Sequence, residues 1–441
     1  MSTATATRTA DSPTAAVEEQ VLRKIFRRLI AFLVLLFVFS FLDRINIGFA
    51  ALSMNKELGL TAAQFGIASS IFYAGYVLLE IPSNMMLAKY GARRWIARIV
   101  FSFGLASAAT MFATGPWSLY ALRMLVGITE AGFLPGILLY LTFWFPPTYR
   151  ARATSLFLVS QAFVFAIAAP LSGFILDNTH DLLGLSGWQW LFVIEGLPAV
   201  ALGVMTYFYL SDGPHDARWL SETEKAALKS RLERERDALG AKPGKHEVLR
   251  QVLRPDCLIL GVVNFGLVCS LMTNSTWIPQ IIREAAAARS FAHVGLLITI
   301  PSVVTMIVMP LWGAHSDRTM ERKWHVALGL LAAAGGWILI ALQNTPELRV
   351  LGLVFCVAGT YAAQGVFWTI PPRVFTEGAR PVGIAFVNAC GVFASFLSPL
   401  IVGFLRETTH GWTAPLMFVA VMLVNSSALV AFAVSSKDRS A

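Results

Sequence analysis

Residues 29–50 read LIAFLVLLFVFSFLDRINIGFA, an apolar run that is long enough to cross a lipid bilayer. Asp43 and Arg44 stand side by side within this run, and Asn46 follows two residues later. One charge inside a spanning helix costs roughly 2.5–3.5 kcal/mol on insertion scales. The pair therefore indicates a site that faces a bundle interior or a water-filled cavity. A salt bridge that only packs two helices together is the alternative.

The whole chain has the composition of an integral membrane protein. Of its 441 residues, 56% are hydrophobic and 14% are charged, whereas soluble domains carry about 25% charged residues. Twelve apolar segments of spanning length predict an all-α fold with twelve transmembrane helices. We place these segments at 28–50, 64–88, 95–114, 116–142, 153–177, 187–210, 257–282, 292–315, 324–343, 348–371, 381–405 and 412–434.

The positive charge follows the loops. The formal net charge is +9, but with the N-terminus inside, the odd-numbered loops hold only five Lys and Arg residues: Lys56, Arg283, Arg289, Arg349 and Arg406. Loops with an excess of Lys and Arg stay in the cytoplasm. We therefore expect a multi-pass protein of the bacterial inner membrane with both termini in the cytoplasm. Anionic lipid headgroups are the expected partner of the basic loops, and nucleic acid is not.

The longest hydrophilic interval divides the segments into two groups of six. The predicted organisation is a disordered cytoplasmic tail (1–27), an N-terminal bundle (28–210), a cytoplasmic linker (211–256), a C-terminal bundle (257–434) and a second tail (435–441). Within the linker, Ser221 and Glu224 have the spacing of a capping box, which predicts a short amphipathic helix.

An internal repeat relates the two groups. NMMLAKYGARR (84–94) and GAHSDRTMERK (313–323) follow one frame at an offset of 229 residues: Gly-x3-Asp-Arg-x3 and then two cations. The first copy lacks the Gly and the Asp, and the second keeps them. Each copy lies between the second and third segments of its half. Duplicated six-helix halves are typical of transporters that bind their substrate between the halves, near the membrane midplane.

Further stretches carry a family resemblance. They are FLDRINIGFAAL (41–52), YVLLEIPSNMML (76–87), GARRWIARI (91–99), RMLVGITEAGFLPG (123–136), YLSDGPHDARWLS (209–221), WIPQ (277–280) and FWTIPP (367–372). With the repeat, they resemble the major facilitator superfamily and, within it, the anion:cation symporter family, most of all its tartrate-transporter-like branch. The resemblance implies the major facilitator fold. It also implies proton-coupled uptake of an organic carboxylate (a tartrate-like hydroxy acid, a sugar acid or an aromatic acid) by alternating access.

The candidate proton-coupling residues are Asp43, Glu130 and Arg123. Arg123 and Glu130 lie seven residues apart in the fourth segment and hence on one helix face. A Glu–Arg pair that exchanges partners is a proton switch, and a static ion pair is the alternative. The resemblance implies protonation of Asp43 and Glu130, with Arg123 modulating Glu130. Protons are the expected coupling ion, and we expect no cofactor, no metal and no catalytic residue.

Arg44 is the candidate ligand of the substrate carboxylate, because a guanidinium presents a planar fork that matches a carboxylate in bidentate geometry. The resemblance supports Tyr76, Gln161 and Asn388 as polar residues of the cavity. Polar and aromatic residues of the second half would complete the pocket, although ordinary packing explains them equally well: Asn274, Trp277, Trp368 and Thr369. Phe41 stands where many relatives have a hydroxylated aromatic residue, so the identity of the anion stays open.

A third group of residues is assigned to gating. Glu80 precedes Pro82, and Glu195 precedes Pro198, where it would satisfy freed backbone groups or serve a gate. Charged residues of the two repeat loops are expected to form a latch at the cytoplasmic surface with neighbouring helices: Arg93, Arg94, Asp317 and Arg318.

Two alternatives remain from the sequence. An organic-anion or organophosphate antiporter of the same fold would present a cation from each half to a dianion, but segment 257–282 contains no Lys or Arg. A membrane receptor or channel does not require acids beside an Arg in a duplicated scaffold. The sequence has no H-E-x-x-H motif and no nucleophile constellation, so we expect no enzyme. We expect a monomer that acts on a small organic anion.

Overall fold

The computed structural model describes residues 13–237, 254–286, 290–375 and 380–433, and its regular structure there is helical. The N-terminal half contains α1 (Pro13–Ile25), α2 (Ala31–Glu57), α3 (Ala62–Tyr90), α4 (Ala92–Ala109), α5 (Pro116–Glu130), α6 (Phe133–Trp144), α7 (Pro147–Asn178) and α8 (Gly187–Tyr209). The linker contains α9 (Glu222–Asp237). The C-terminal half contains α10 (Pro255–Ala286), α11 (Phe291–Thr319), α12 (Lys323–Leu342), α13 (Pro346–Phe367), α14 (Pro371–Val374), α15 (Arg380–Thr409) and α16 (Thr413–Ala428).

The helices are arranged as two groups of six membrane segments. Eleven helical segments of the described residues are long and apolar enough to cross a membrane. The twelfth is α7, whose 32 residues reach about 48 Å at 1.5 Å per residue. Two segments are composed of consecutive helices, α5 with α6 and α13 with α14. The predicted twelve-helix membrane fold is confirmed.

Residues 13–25 correct the prediction of a disordered tail. They form α1, which continues through a π-helical turn (Phe26–Ile30) into α2. The side chains of Val21 and Ile25 are buried, so α1 is held by apolar packing that its short amphipathic sequence did not reveal. Residues 1–12, the linker residues 238–253 and the second tail lie outside the described residues.

The linker helix α9 begins with the predicted capping box. The Ser221 backbone N–H donates to Glu224 Oε2 at 2.8 Å, and the Glu224 N–H donates to Ser221 Oγ at 3.2 Å. Lys24 of α1 also lies 3.1 Å from the Glu224 carboxylate. The Ser221 amide and the Lys24 ammonium hold the pKa of Glu224 below its ordinary value. This helix and the repeat loops lie at one end of the bundle, which we call the basic end; the other is the opposite end.

Glycines bring the two halves into close contact towards the opposite end. A Cβ atom at Gly66 of α3 would lie 2.6 Å from the Pro399 carbonyl oxygen of α15. Gly48 of α2 meets the Ser275 carbonyl of α10 in the same way, and Gly295 of α11 meets the carbonyl of Ala169 in α7. Small residues allow membrane helices to approach this closely. We call these three contacts the glycine seal.

Hydrogen bonds reinforce the joined end. The Asp177 carboxylate accepts from the backbone N–H groups of Phe291 and Ala292, at 2.9 and 2.8 Å, where α11 begins. A carboxylate is favourable there because the first turn of a helix carries a partial positive charge. Arg283 donates to the Leu52 carbonyl oxygen at 2.5 Å. All these bonds run between the halves.

Along α3, the strongly exposed apolar residues lie nearer the basic end, and they include Leu78 and Met85. The glycine contacts and the hydrogen bonds that join the halves lie towards the opposite end. The two halves are thus joined at the opposite end.

We predict that Gly66→Leu opens the joined end, because the added side chain cannot fit against the Pro399 carbonyl. Spin labels are attached at the exposed positions His180 and Thr408, one in each half. Pulsed electron paramagnetic resonance then measures the distance between the two labels. The expected result is a longer distance in Gly66→Leu than in the parent protein.

Gly115→Leu is the matched control, since a Cβ atom at Gly115 meets no atom within 4 Å. Identical distance distributions in Gly66→Leu and Gly115→Leu would contradict the role assigned to the seal.

Candidate functional site

Asp43 and Arg123 form the first of two ion pairs in the N-terminal half. Arg123 Nη1 of α5 lies 3.2 Å from Asp43 Oδ2 of α2, and the side chains are only 2% and 3% exposed. The hydroxyl of Ser107, on α4, donates to the other oxygen of the Asp43 carboxylate. Three helices therefore meet at one buried carboxylate, and each of its oxygens has a partner.

Arg44 and Glu130 form the second ion pair. Arg44 Nη2 lies 2.7 Å from Glu130 Oε1, and Arg44 Nε donates to the same oxygen at 3.2 Å. The Ser40 hydroxyl also donates to Oε1, at 2.6 Å. Glu130 is fully buried, whereas the side chain of Arg44 is 20% exposed. Arg44 is thus the cation of the two pairs that an incoming anion can reach.

These pairs differ from the predicted pairing of Arg123 with Glu130. Adjacent residues project about 100° apart around a helix, and residues seven apart lie about 10 Å apart along its axis. Asp43 and Arg44 of α2 therefore meet different levels of α5, one at Arg123 and the other at Glu130. The sequence places Arg123 and Glu130 on one face correctly but does not specify which residue of α2 each one meets.

An aromatic side chain that the sequence did not single out lies close to both cations. The guanidinium carbons of Arg123 and Arg44 lie 5.0 and 5.5 Å from the centre of the Phe72 ring. Arg44 also lies 5.2 Å from the ring of Tyr76, one turn further along α3. Cations within about 6 Å of an aromatic centre are attracted to it. The i, i+4 spacing of Phe72 and Tyr76 was the available signal. Tyr76, which was predicted as a polar residue of the cavity, lies beside Arg44 but does not line the cavity between the halves.

The fourth membrane segment is interrupted directly after Glu130. α5 ends at Glu130, and α6 begins at Phe133 after Gly132, whose φ of +82° suits glycine. A Cβ atom at Gly132 would also lie 2.6 Å from Ser83 Oγ of α3. The C-terminal end of a helix carries a partial negative charge that favours a nearby cation, here Arg44. Discontinuous helices of this kind are typical of transporter binding sites.

A small cavity of about 20 Å³ lies between the halves. Its lining residues come from both halves: Ile45, Phe49, Ala169, Asn274, Ser275, Pro279, Ile298, Ser302, Leu353 and Val357. Arg44 itself does not line it, but the adjacent residue Ile45 does. The lining carries no charged side chain. Asn274 lies at this interface as predicted, and it also lines a smaller cavity of the C-terminal half with Ser270, Thr360 and Tyr361.

Other predicted pocket residues are not brought to this cavity. Trp277 is fully buried between the rings of Phe65 and Trp412, at 5.1 and 5.7 Å, which is aromatic packing. Trp368 packs against Phe367. The exposed Thr369 donates to the Val366 carbonyl. Asn388 is exposed on α15. Gln161 belongs to α7, but its side chain is outside the described part of the structure.

The residues assigned to gating have local partners. The Arg93 backbone N–H donates to Asp212 Oδ1 at 2.8 Å, at the end of the N-terminal half. Asp317 pairs with Arg322 of the same repeat loop at 2.5 Å, and not with the other half. Arg94 and Arg318 are exposed at the basic end. The two loops are therefore each paired within their own half, and their role as a latch stays a prediction.

The two remaining acids of the gating group differ in burial. Glu80 is half-buried, and its backbone carbonyl accepts from Asn84 Nδ2 at 2.8 Å. Glu195 of α8 is 5% exposed, and neither carboxylate oxygen has a hydrogen-bond partner among the described residues. The expected hydrogen bonds from Glu195 to freed backbone groups are therefore not formed.

Comparisons with known proteins agree with this architecture. The family model of the Major Facilitator Superfamily matches residues 33–286 and 263–441. A protein of Agrobacterium vitis named "Putative tartrate transporter" is 40% identical over 413 residues, which cover 94% of this chain and 91% of that protein. The "Putative metabolite transport protein NicT" of Pseudomonas putida is 36% identical and covers 92% of this chain and 93% of its own.

Solved structures share the fold at low identity. A bacterial homologue of the human lysosomal transporter Spinster, described as inward-facing and unoccupied, superimposes with a TM-score of 0.75 at 17% identity, over 94% of this chain and 96% of its own. The xylose transporter XylE from E. coli, in a partially occluded inward open conformation, gives 0.72 at 15% identity, over 95% and 100%.

We predict that Arg123→Gln lowers the free energy of unfolding by about 3–5 kcal/mol, because it leaves Asp43 as an uncompensated buried charge. Denaturant unfolding in detergent, followed by circular dichroism, measures the change. The double variant Asp43→Asn/Arg123→Gln should lose less stability than the single variant, since both charges are then absent.

Arg406→Gln is the control, because it breaks a more exposed pair with Glu284 and should cost no more than about 1 kcal/mol. A double variant that is less stable than Arg123→Gln would contradict the ion-pair explanation.

Proposed function

We propose that this chain, which belongs to the Major Facilitator Superfamily, is a proton-coupled symporter that takes up an organic carboxylate across the inner membrane of a bacterium. The observation that carries the proposal is the pair between Arg44 and Glu130. In this pair, the reachable cation of the site is held by a buried carboxylate. A substrate carboxylate is chemically equivalent to the group that it displaces.

The exchange of partners at Arg44 would couple the substrate to a proton. When a substrate carboxylate takes the guanidinium, Glu130 loses its counter-charge. A buried carboxylate without a partner costs several kcal/mol, so Glu130 binds a proton. The Ser40 hydroxyl, which now donates to Glu130, can then accept from the protonated acid. Substrate and proton thus favour each other's binding, and this coupling is reciprocal.

The pair between Asp43 and Arg123 would form a second switch in the same half. Protonation of Asp43 removes the charge that holds Arg123, and α2 and α5 lose their strongest mutual contact at that level. Because α2 also carries the Gly48 contact of the glycine seal, a change at Asp43 can reach the joined end. This supports a role for Asp43 in conformational change and for Glu130 in substrate exchange.

The described conformation fits the substrate-release stage of alternating access. The basic loops would face the cytoplasm, and the halves are joined at the end that would face outwards. The exposed Arg94 and Arg318 would find partners in the other half when the basic ends close. One chain contains both halves and the cavity between them, which supports a monomer as the transport unit.

The site favours an organic carboxylate over an organophosphate. The cavity lining has no charged residue, and the second guanidinium of the N-terminal half, Arg123, is buried against Asp43. Arg44 therefore supplies one reachable positive charge for the ligand. Tyr76 and Asn274, with Gln161 and Asn388 as further candidates, would contact its polar groups. The relatives named for tartrate and metabolite transport support a carboxylate of metabolic size.

Two measurements test the proposal. Purified protein is screened by thermal shift against tartrate, sugar acids, aromatic acids and a sugar phosphate. Radiolabelled forms of the stabilising compounds are then offered to proteoliposomes with and without an inwardly directed proton gradient. Carboxylate accumulation that requires the gradient supports the proposal. Stabilisation by the sugar phosphate alone, or uptake that ignores the gradient, opposes it.

We predict that Glu130→Gln binds the carboxylate but does not accumulate it. The neutral amide leaves Arg44 available to the ligand, so the thermal shift persists, whereas the exchangeable proton is lost. Arg44→Lys should weaken binding about tenfold or more, because charge-assisted bidentate hydrogen bonds contribute roughly 1.5–3 kcal/mol each.

Glu347→Gln serves as the matched control for the first variant, since it makes the same chemical change at an exposed acid at the start of α13. Gradient-driven accumulation by Glu130→Gln at the parent level would exclude Glu130 as the coupling residue.

A further inference from the structure

The interior of the N-terminal half holds an odd number of acids. Three carboxylates of its membrane helices are at least 95% buried: Asp43, Glu130 and Glu195. Two arginines neutralise two of them, Arg123 at Asp43 and Arg44 at Glu130. The carboxylate left over, Glu195, has no hydrogen-bond partner at either oxygen among the described residues. Its buried charge therefore needs a partner that this conformation does not supply.

Glu195 is placed next to the Asp43 pair by the packing of α8 on α4. A Cβ atom at the following residue, Gly196, would lie 2.7 Å from the backbone nitrogen of Ala108. Ala108 directly follows Ser107, the hydroxyl donor to Asp43. α8 also packs against α2, the helix that carries Asp43. The two acids therefore belong to one buried cluster with one cation.

The other charged groups near this cluster are already engaged. Arg123 of α5 reaches Asp43. On α4, the cation closest in sequence is Arg98, which lies over the ring of Trp95 towards the basic end. Arg44 of α2 points to Glu130. An ionised Glu195 would be an unpaired charge beside a second negative charge, which is costly in a buried site.

We propose that Glu195 and Asp43 share a single proton, which resides on Glu195 in the described conformation. Glu195 is then a third proton-binding residue, in addition to Asp43 and Glu130. When the proton is on Glu195, Arg123 neutralises Asp43. When the O–H bond of Glu195 breaks and the proton binds to Asp43, Arg123 neutralises Glu195. The cluster has the same net charge in both states, so neither state contains an unpaired buried charge.

The shared proton deepens the proposed function, on which its role in transport rests, because it gives the Asp43 switch a nearby proton donor. A static neutral acid would not need Asp43. A shared proton requires Asp43, because one cation neutralises both carboxylates in turn and only one of them is ionised at a time. The protonation state of Glu195 should therefore depend on the side chain at position 43.

Infrared spectroscopy tests this without any substrate. Full-length protein in detergent is measured at neutral pH, where the C=O stretch of a protonated carboxyl group is separate from the carboxylate bands. The parent protein should show a protonated-carboxyl band that is lost in Glu195→Gln. Glu222→Gln, the same change at an exposed acid of α9, should retain it. In Asp43→Asn, Arg123 no longer has Asp43 as an anion, so Glu195 should ionise and the band should disappear.

Two results would overturn the proposal. A band of equal intensity in Glu195→Gln means that Glu195 is ionised in the parent protein. A band that survives in Asp43→Asn means that its proton is not shared. Labelling of all glutamates with carbon-13 in the parent protein should move the band to lower frequency, and a band that does not move overturns the proposal even if Glu195→Gln does not fold. None of these spectra requires transport, so they stand whether or not gradient-driven uptake is observed.

Discussion

A charge buried in a membrane helix requires a partner, and this requirement organises the N-terminal half. α2 places two charges of opposite sign on consecutive residues, and α5 supplies an opposite charge to each, two helical turns apart. The long side chains of these pairs bridge α2 and α5, and α5 packs directly on α3. Gly127 permits this approach, since a Cβ atom there would overlap the Phe72 carbonyl oxygen. The aromatic ring of Phe72 then lies close to both guanidinium groups, at 5.0 Å from Arg123 and 5.5 Å from Arg44.

The sequence predicts the elements of this site better than their connections. Asp43, Arg44, Arg123 and Glu130 were identified because charges are costly in apolar segments. Their pairing was wrong, because helical spacing fixes a face but not the height at which two helices meet. The interruption at Gly132 was missed for a related reason: a glycine inside an apolar run fits a continuous helix until a neighbouring helix, here α3 at Ser83, occupies the space of its side chain.

The two halves contribute different chemical groups to the candidate site. The acids and cations of the site come from α2 and α5, whereas the C-terminal half contributes amide, hydroxyl and apolar groups to the cavity. Trp277 illustrates why aromatic residues were hard to assign from sequence. It is large, amphipathic and close to Asn274 along the chain, but it packs between Phe65 and Trp412. Asn274, three residues earlier, lies nearer the middle of α10 and lines the cavity.

The chemistry and the conformational change are connected through α2. Gly48 lies one helical turn after Arg44, and it touches the Ser275 carbonyl of the other half. Ser275 follows Asn274, and both residues line the cavity. A helix segment of four residues is stiff, so a shift of α2 caused by exchange of an ionic partner also moves its contact with α10. In the proposed cycle, α2 would be the coupling element, because it carries both a charge switch and an inter-half contact.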